Sequence, residues 1–241
     1  MVRENLLRLL LKLLLACLGV LAIIIILYWL LFYSRDLPDL DVLSQFSPSG
    51  TTTVADPCYK TPITAISYDA LGSNLRVALN AIEAPEDGPT AYEQMSRALS
   101  DVRETRLALS MQVARTMFCS PERTSSRELK ELRVAMRLDR HFSRQQLFII
   151  AANRYYFGND VVGVQAASQY FFHKDPKDLS IAEAALLAGL VRAPSYFSPA
   201  NHLDRALIRR NQVVDAMLQS NSITAEQAED AKSTPLNVAV P

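Results

Sequence analysis

The feature that most constrains the fold is an uncharged run near the N-terminus, LLLACLGVLAIIIILYWLLFY, which occupies Leu13–Tyr33. A helix of that length is about 30 Å long, which matches the hydrocarbon thickness of a bilayer. Tyr28, Trp29 and Tyr33 cluster at one end of the run, and aromatic rings favour the headgroup region. The run therefore predicts a single transmembrane helix over residues 13–33.

The charges before this run predict its orientation. Arg3, Arg8 and Lys12 precede it, with only Glu4 opposing them, so the positive-inside rule places residues 1–12 in the cytoplasm as a short tail. A cleaved signal peptide is the alternative, but its apolar region would be about 7–15 residues long and followed by a small-residue cleavage site. This longer run without an A-x-A site favours a retained anchor.

Composition limits the function classes open to the chain. The 241 residues carry 25 Lys+Arg and 25 Asp+Glu, for a formal net charge of +0. That balance excludes a nucleic-acid binder that relies on bulk positive charge, so no nucleic-acid partner is expected. Three cysteines are too few for a disulfide framework. Cys58 and Cys119 are free to pair or to remain two separate buried thiols, and the sequence leaves both alternatives open.

The rest of the chain divides into a connector, a helical domain and a tail. Residues 34–60 are rich in proline, serine and threonine and read as a juxtamembrane connector, and residues 234–241 form the tail. Within the domain, predicted for residues 61–233, Pro62–Ser67 suggests one short strand. From Leu75 onward apolar residues recur at helical spacing. The expected fold class is all-α.

Capping residues indicate where several helices begin. Ser125 with Glu128, and Thr224 with Gln227, have the spacing of capping boxes, and Ser180 precedes the alanine- and leucine-rich segment IAEAALLAGLV, which we expect to be a buried helix. The predicted spans are a helix from Ser125, and helices over 143–158, 161–171, 180–191, 202–219 and 224–232.

Five blocks of sequence follow one another in this helical region. They are SSRELKELRVAMRLDRHFS (Ser125–Ser143), AANRYYFGNDVVGVQAASQYFF (Ala151–Phe172), KDLSIAEAALLAGLVRAPSYFSP (Lys177–Pro199), RALIRRNQVVDAM (Arg205–Met217) and ITAEQAEDAK (Ile223–Lys232). In order and spacing the blocks resemble the peptidoglycan glycosyltransferase domain of penicillin-binding proteins, glycosyltransferase family 51. Ordered blocks of this kind are far more specific than any single motif.

The resemblance implies a fold, an activity and a location. The family has a lysozyme-like, mostly helical domain that polymerises lipid II on the outer face of the bacterial cytoplasmic membrane. The implied partners are lipid II, the growing glycan strand, the lipid bilayer and other cell-wall synthesis proteins. A glutamate acts as general base on the acceptor hydroxyl, and undecaprenyl pyrophosphate leaves with inversion. The resemblance requires no cofactor, although it leaves room for Mg²⁺ at the pyrophosphate.

The family motifs also assign roles to residues in the first half of the domain. The register of NLRVALNAIEA (Asn74–Ala84) places Glu83 at the position of the general base. Glu86, three residues later, belongs to a literal Glu-Asp pair that is out of that register, and it remains the alternative base. Ser110, Gln112 and Arg115 occupy substrate-binding positions of the second motif.

The later motifs contribute further candidates. Arg127 and Glu131 match the third motif, Asn153 the fourth, and Arg209 and Arg210 the fifth. The resemblance makes the arginines and Asn153 substrate-binding residues and Glu131 the second catalytic candidate. Arg127 and Glu131 are spaced i, i+4, so they share one helix face. An ordinary surface ion pair is the alternative explanation for that spacing.

Departures from the family pattern leave more than one function open. Glu128 stands where the family has lysine, and the two glycines of the second motif are replaced in TRLALSMQVART (Thr105–Thr116). The first hypothesis is an active monofunctional glycosyltransferase. The second is a catalytically degenerate member that binds lipid-linked sugar or acts as a scaffold in envelope synthesis. The third is a lysozyme-like glycosidase, which the fold permits but the motifs do not favour. The three scattered histidines indicate no metal site.

Overall fold

The structure, a computed structural model, describes residues 2–32, 37–83, 104–119 and 124–239. Within these ranges the chain is mainly helical, which confirms the helical fold class, and it also contains one small antiparallel sheet. The helices are α1 (Val2–Phe32), α2 (Asp41–Ser44), α3 (Gly72–Glu83), α4 (Glu104–Met117), α5 (Ser125–His141), α6 (Arg144–Arg154), α7 (Val164–Phe172), α8 (Ile181–Leu190), α9 (Leu203–Gln219) and α10 (Ala225–Ser233). The strands are β1 (Thr52–Val54) and β2 (Ile63–Ala65).

Helix α1 contains the apolar run that opens the sequence. Its described side chains, those of residues 12–28, are all exposed. Within the described part of the chain, however, no helix is both long enough and apolar enough to cross a membrane. The structure therefore does not support the transmembrane span that the sequence predicts for residues 13–33.

Side-chain caps determine where several helices start. Ser143, Ser180 and Thr224 each accept a hydrogen bond from the backbone N–H three residues later, and Gln146, Glu183 and Gln227 return the bond, so all three capping boxes are complete. These starts match the sequence prediction. The prediction for α5 is wrong by one residue: Thr124, with extended backbone, is the N-cap and accepts from the N–H of Arg127. Ser125 is instead the first helical residue.

Helix α8 lies at the centre of the domain. It packs against α3 and α9 on its two main sides and also contacts α7 and α10. Seven consecutive residues, 184–190, are buried, and alanine at three of these positions lets neighbouring helices approach closely. Gly189 has the same role, because a Cβ atom there would lie 2.8 Å from Cγ of Arg209 on α9. The structure thus confirms the buried helix predicted from IAEAALLAGLV.

The two strands join the connector region to the domain. Strand β2 lies within Pro62–Ser67, where the sequence predicts a strand, and it pairs antiparallel with β1 in the register Thr53↔Thr64. Residues 37–60, expected to be only a connector, also supply Leu43, Phe46 and Val54 to the hydrophobic core. These side chains are buried against the helical domain, so the folded unit includes part of the predicted connector.

The start of α7 differs from the predicted helix over 161–171. Residues 155–163 instead form a tight reversal, in which the N–H of Phe157 donates to the carbonyl of Val161 and Tyr156 pairs with Val162. Gly163 ends the reversal at φ +86°, and a Cβ there would lie 2.8 Å from the carbonyl oxygen of Asn153. Only glycine fits this position without strain, which explains why the helix begins at Val164.

A disulfide resolves the alternatives left open for two of the cysteines. Cys58 and Cys119 are bonded, with their Cα atoms 4.8 Å apart and a sequence separation of 61. The bridge links Cys58, in the loop between β1 and β2, to Cys119, two residues after the end of α4. Cross-links that close long loops constrain the unfolded chain, so this bridge should stabilise the domain by about 2–4 kcal/mol.

Candidate functional site

Two arginines converge on one carboxylate where α4 packs against α5. Nε of Arg127 lies 2.7 Å from Oε1 of Glu131, and Nε of Arg115 lies 3.6 Å from Oε2 of the same residue. The Glu131 side chain is 9% exposed and that of Arg127 is 17% exposed, whereas Arg115 is 64% exposed. Glu131 therefore bridges an inner and an outer arginine, which we call the Arg–Glu–Arg cluster.

Local structure explains why the inner pair forms. Thr124 fixes the start of α5, and the i, i+4 spacing then places Arg127 and Glu131 one above the other on the helix face toward α4. Arg127 also donates through Nη2 to the carbonyl oxygen of Phe118, at 3.3 Å, and lies over the Phe118 ring at 5.6 Å from its centroid. The low exposure of the pair and these extra contacts exclude an ordinary surface ion pair.

The remaining second- and third-motif residues differ in their exposure to solvent. Ser110 is fully buried within α4, and Gln112 is half-buried on the same helix. Glu128, which replaces the family lysine, is exposed in the first turn of α5. The guanidinium of Arg115 is thus the most accessible charged group of the cluster.

The predicted general base lies at the edge of what the structure describes. Glu83 is the last residue of α3, and its side chain falls outside the described part of the chain. The alternative base, Glu86, belongs to residues 84–103, which also lie outside it. The choice between Glu83 and Glu86 therefore stays a prediction, as does the distance from either carboxylate to the cluster.

Asn153, predicted to bind substrate, is fully buried in the last turn of α6. Its Oδ1 accepts from the N–H of Ile66 at 3.1 Å, and its Nδ2 donates to the carbonyls of Ile66 and Phe46, each at 2.9 Å. These three bonds tie α6 to two segments more than 80 residues earlier in the chain. The contacts give Asn153 a structural role and direct its amide away from solvent.

Replacing Asn153 by alanine should lower the free energy of unfolding by about 2–4 kcal/mol, because three buried backbone groups would lose their partner. Urea denaturation followed by circular dichroism measures this change. Asn80 is the matched control, since it is exposed and donates only to the carbonyl of Arg76 in its own helix. Asn80→Ala should change stability by less than about 0.5 kcal/mol. Equal losses in the two variants would contradict the structural role of Asn153.

The two predicted arginines of α9 also face the interior. Arg210 is 3% exposed and donates to the carbonyl oxygens of Lys232 and Thr234, at 2.7 and 2.8 Å, so it caps the C-terminal end of α10. Burial lowers the pKa of its guanidinium. Arg209 is 4% exposed, donates to Gln212 and lies over the ring of Phe197. Arg210 could bind a pyrophosphate only if its hydrogen bonds to the carbonyls of Lys232 and Thr234 broke.

A second buried ion pair was missed by sequence reasoning. Nη2 of Arg154 lies 2.9 Å from Oδ2 of Asp56 and also donates to the carbonyl of Thr116, at 2.9 Å. Both side chains are almost fully buried, and the Arg154 guanidinium lies over the ring of Phe46. Burial lowers the pKa of Arg154, and the Asp56 carboxylate opposes that shift. The available signal was the position of Arg154 at the end of α6, shortly after a run of six apolar residues, 147–152.

Mg²⁺ is the metal ion that the resemblance allows in this domain. Within the described residues, no group of three or more His, Cys, Asp or Glu side chains could hold a metal ion. The involvement of Mg²⁺ at the pyrophosphate stays a prediction.

The chain is similar to a known protein family and to several known proteins. A family model described as Transglycosylase matches residues 67–218. Penicillin-binding protein 1A of Aquifex aeolicus is 33% identical, over 91% of this chain and 33% of its own length. Penicillin-binding protein 1F of Bacillus subtilis is 36% identical over 55% of this chain and 18% of its own. Penicillin-binding protein 1A of Escherichia coli is 37% identical over 54% and 15%. The chain thus spans a third or less of these relatives.

The chain is also similar to a solved structure. The crystal structure of penicillin-binding protein 1A from Haemophilus influenzae is 28% identical, covers 59% of this chain and 18% of its own chain, and superposes with a TM-score of 0.37.

Proposed function

Because the chain belongs to the transglycosylase family, we propose that it is a membrane-anchored peptidoglycan glycosyltransferase that polymerises lipid II into glycan strands. The family match over residues 67–218 confirms the resemblance carried by the five sequence blocks. The observation that carries the proposal is the Arg–Glu–Arg cluster, because it places two guanidinium groups and a carboxylate at a motif position of the family.

The chemistry of this cluster suits a pyrophosphate leaving group. The transfer joins the acceptor hydroxyl oxygen to the anomeric carbon of the donor sugar and breaks the bond from that carbon to the pyrophosphate. Negative charge then develops on the leaving group, and arginine forks stabilise phosphate oxygens through paired charge-assisted hydrogen bonds. We propose that Arg115, the more exposed arginine, contacts the pyrophosphate. Glu131 holds Arg127 and Arg115 in position.

The proton of the acceptor hydroxyl requires a base. We propose Glu83 for this role, since the family register places it there, and an ionised carboxylate can accept the proton as the new bond forms. Gln112, half-buried on α4, is the further substrate-binding residue that we propose, whereas Ser110 is fully buried within that helix. No step is assigned to a metal ion.

Membrane anchoring is a separate part of the proposal. It is supported by the uncharged run Leu13–Tyr33. It is also supported by the exposure of α1, because the large apolar side chains between Leu13 and Tyr28 are each 52–68% exposed. The proposed orientation puts the catalytic domain on the outer face of the cytoplasmic membrane. Extraction of membranes at alkaline pH tests the anchor: an anchored chain stays in the pellet and a peripheral one is released.

A degenerate, non-catalytic family member is the second candidate function. Glu128 favours it, because an exposed carboxylate stands in the first turn of α5 at the position where the family has a cationic lysine. Such a protein would bind lipid-linked sugar or scaffold envelope enzymes without polymerising. Other cell-wall synthesis proteins are then the proposed partners.

Polymerisation of lipid II by the purified full-length protein in detergent distinguishes the two candidates. An active wild type should convert lipid II into glycan strands, visible on a gel. Glu131→Gln should lower kcat/KM roughly 10–100-fold, because it removes a charge-assisted interaction worth about 1.5–3 kcal/mol. Glu183→Gln is the matched control. Glu183 lies on α8 and forms an ion pair with Lys174, which precedes that helix, and a glutamine at 183 can still complete the capping box with Ser180.

Equal activity in the Glu131→Gln variant and wild type would refute the role of the cluster. An inactive wild type would favour the degenerate candidate instead.

A further inference from the structure

The Arg–Glu–Arg cluster belongs to a closed ring of contacts that includes the disulfide. On one side, Cys119 follows Phe118, whose carbonyl and ring both contact Arg127. On the other side, Arg115 precedes Thr116, whose carbonyl accepts from Arg154. The two sides meet at the cluster, where both arginines approach Glu131.

The ring closes through the segment before β2. Arg154 pairs with Asp56 at 2.9 Å, and the other oxygen of Asp56 accepts from the N–H of Cys58 at 2.8 Å. Cys58 is bonded to Cys119, which completes the circuit. Every link is a covalent bond, an ion pair, a hydrogen bond or a ring contact. The disulfide is the covalent cross-link of the ring, and reduction opens it without changing the sequence.

We propose that the Cys58–Cys119 disulfide is a redox-sensitive clamp that positions Arg127 and Arg115 on Glu131. With the bridge closed, the end of α4 is held against the Arg154–Asp56 pair, and Phe118 stays beneath the Arg127 guanidinium. With the bridge open, Phe118 loses the covalent link that Cys119 provides and keeps its weaker contacts with Arg127 and its backbone link to α4. The proposal rests on the proposed function for its effect on catalysis, but not for its effect on the cluster itself.

The chemical step is a reduction by a dithiol. Two electrons and two protons pass from the dithiol to the bridge, the S–S bond breaks, and Cys58 and Cys119 become thiols while the reductant becomes a disulfide. Cys119 is exposed, so a small dithiol can reach the bridge. Reoxidation restores it. The clamp would therefore make the site active in an oxidising compartment and weaker in a reducing one.

The test compares the oxidised full-length protein with the same protein reduced by dithiothreitol, and with the Cys58→Ser/Cys119→Ser variant. Leu186→Ala is the stability-matched control. The cavity that it leaves in α8 and the loss of the bridge should lower the free energy of unfolding by similar amounts, but Leu186 is not part of the ring of contacts. Three quantities are measured at a temperature below the melting temperature of each of these samples. They are the rate of lipid II polymerisation, the affinity for inorganic pyrophosphate and the rate of amide hydrogen exchange.

Reduction should lower kcat about tenfold or more, because a small misplacement of positioning groups has large kinetic effects. It should also weaken pyrophosphate binding several-fold and speed amide exchange over both 109–117 and 125–131. The serine variant should show the same changes and no response to dithiothreitol. Leu186→Ala should show none of them, and reoxidation should reverse them in the wild type.

Faster exchange confined to the neighbours of the two cysteines, with unchanged pyrophosphate affinity, would overturn the clamp. So would global exchange across the domain on reduction, since that would make the bridge a general staple. If the oxidised protein polymerises nothing, the proposed function fails, and pyrophosphate affinity with amide exchange still decides the clamp. If the serine variant does not fold, wild type reduced at low temperature under circular dichroism replaces it.

Discussion

Leu186→Asp should abolish the cooperative unfolding transition of the domain at 25 °C. Leu186 is 1% exposed in α8, the helix that packs against α3 and α9. An aspartate there would place a carboxyl group without a partner among aliphatic side chains and would also remove the packing of the leucine. Together these losses cost several kcal/mol, which is comparable to the roughly 5–15 kcal/mol that stabilises a typical domain. The measurement is thermal unfolding followed by circular dichroism.

The control for this prediction places the same substitution on the surface. Leu203 is 49% exposed in the first turn of α9, where a negative charge interacts favourably with the helix dipole. Leu203→Asp should therefore change the free energy of unfolding by less than about 0.5 kcal/mol. A Leu186→Asp variant that melts at the wild-type temperature would show that α8 is not the centre of the core.

Local sequence signals predicted most of the helical framework. The capping boxes at Ser143, Ser180 and Thr224 act within four residues, so the pattern of residues alone places them. Gly163 could not be interpreted in this way, because its constraint comes from the carbonyl of Asn153 ten residues earlier. Strand β1 was missed for a related reason: its three residues are strand only through their pairing with β2.

The same distinction explains the outcome for the site residues. Arg127 and Glu131 were predicted together because i, i+4 spacing on a helix guarantees proximity. The approach of Arg115 depends on the packing of α4 on α5, which only the family resemblance implied. Motif matching alone does not separate Asn153 and Arg210, whose polar groups bind the chain itself, from residues that face a substrate. Burial of the polar atoms is what separates them, and it requires the structure.

Arg154→Met should destabilise the domain by about 3–5 kcal/mol, because it leaves Asp56 as a buried charge without its partner. The Asp56 side chain is fully buried, and the carbonyl of Thr116 would lose its donor as well. Methionine keeps much of the volume of the arginine stem, so the loss reports the ion pair more than a cavity. Urea denaturation of wild type and variant measures the difference.

A second substitution separates the uncompensated charge from the lost contacts. Asp56→Asn keeps an oxygen that can accept from the N–H of Cys58 but removes the negative charge. The double variant Arg154→Met/Asp56→Asn should therefore be more stable than Arg154→Met alone, since neutralising the remaining partner removes the desolvation cost of an unpaired ion. If the two losses were simply additive, the pair would not be coupled. Asp56 and Arg154 would then hold α4 in place through their separate hydrogen bonds, and not through their charges.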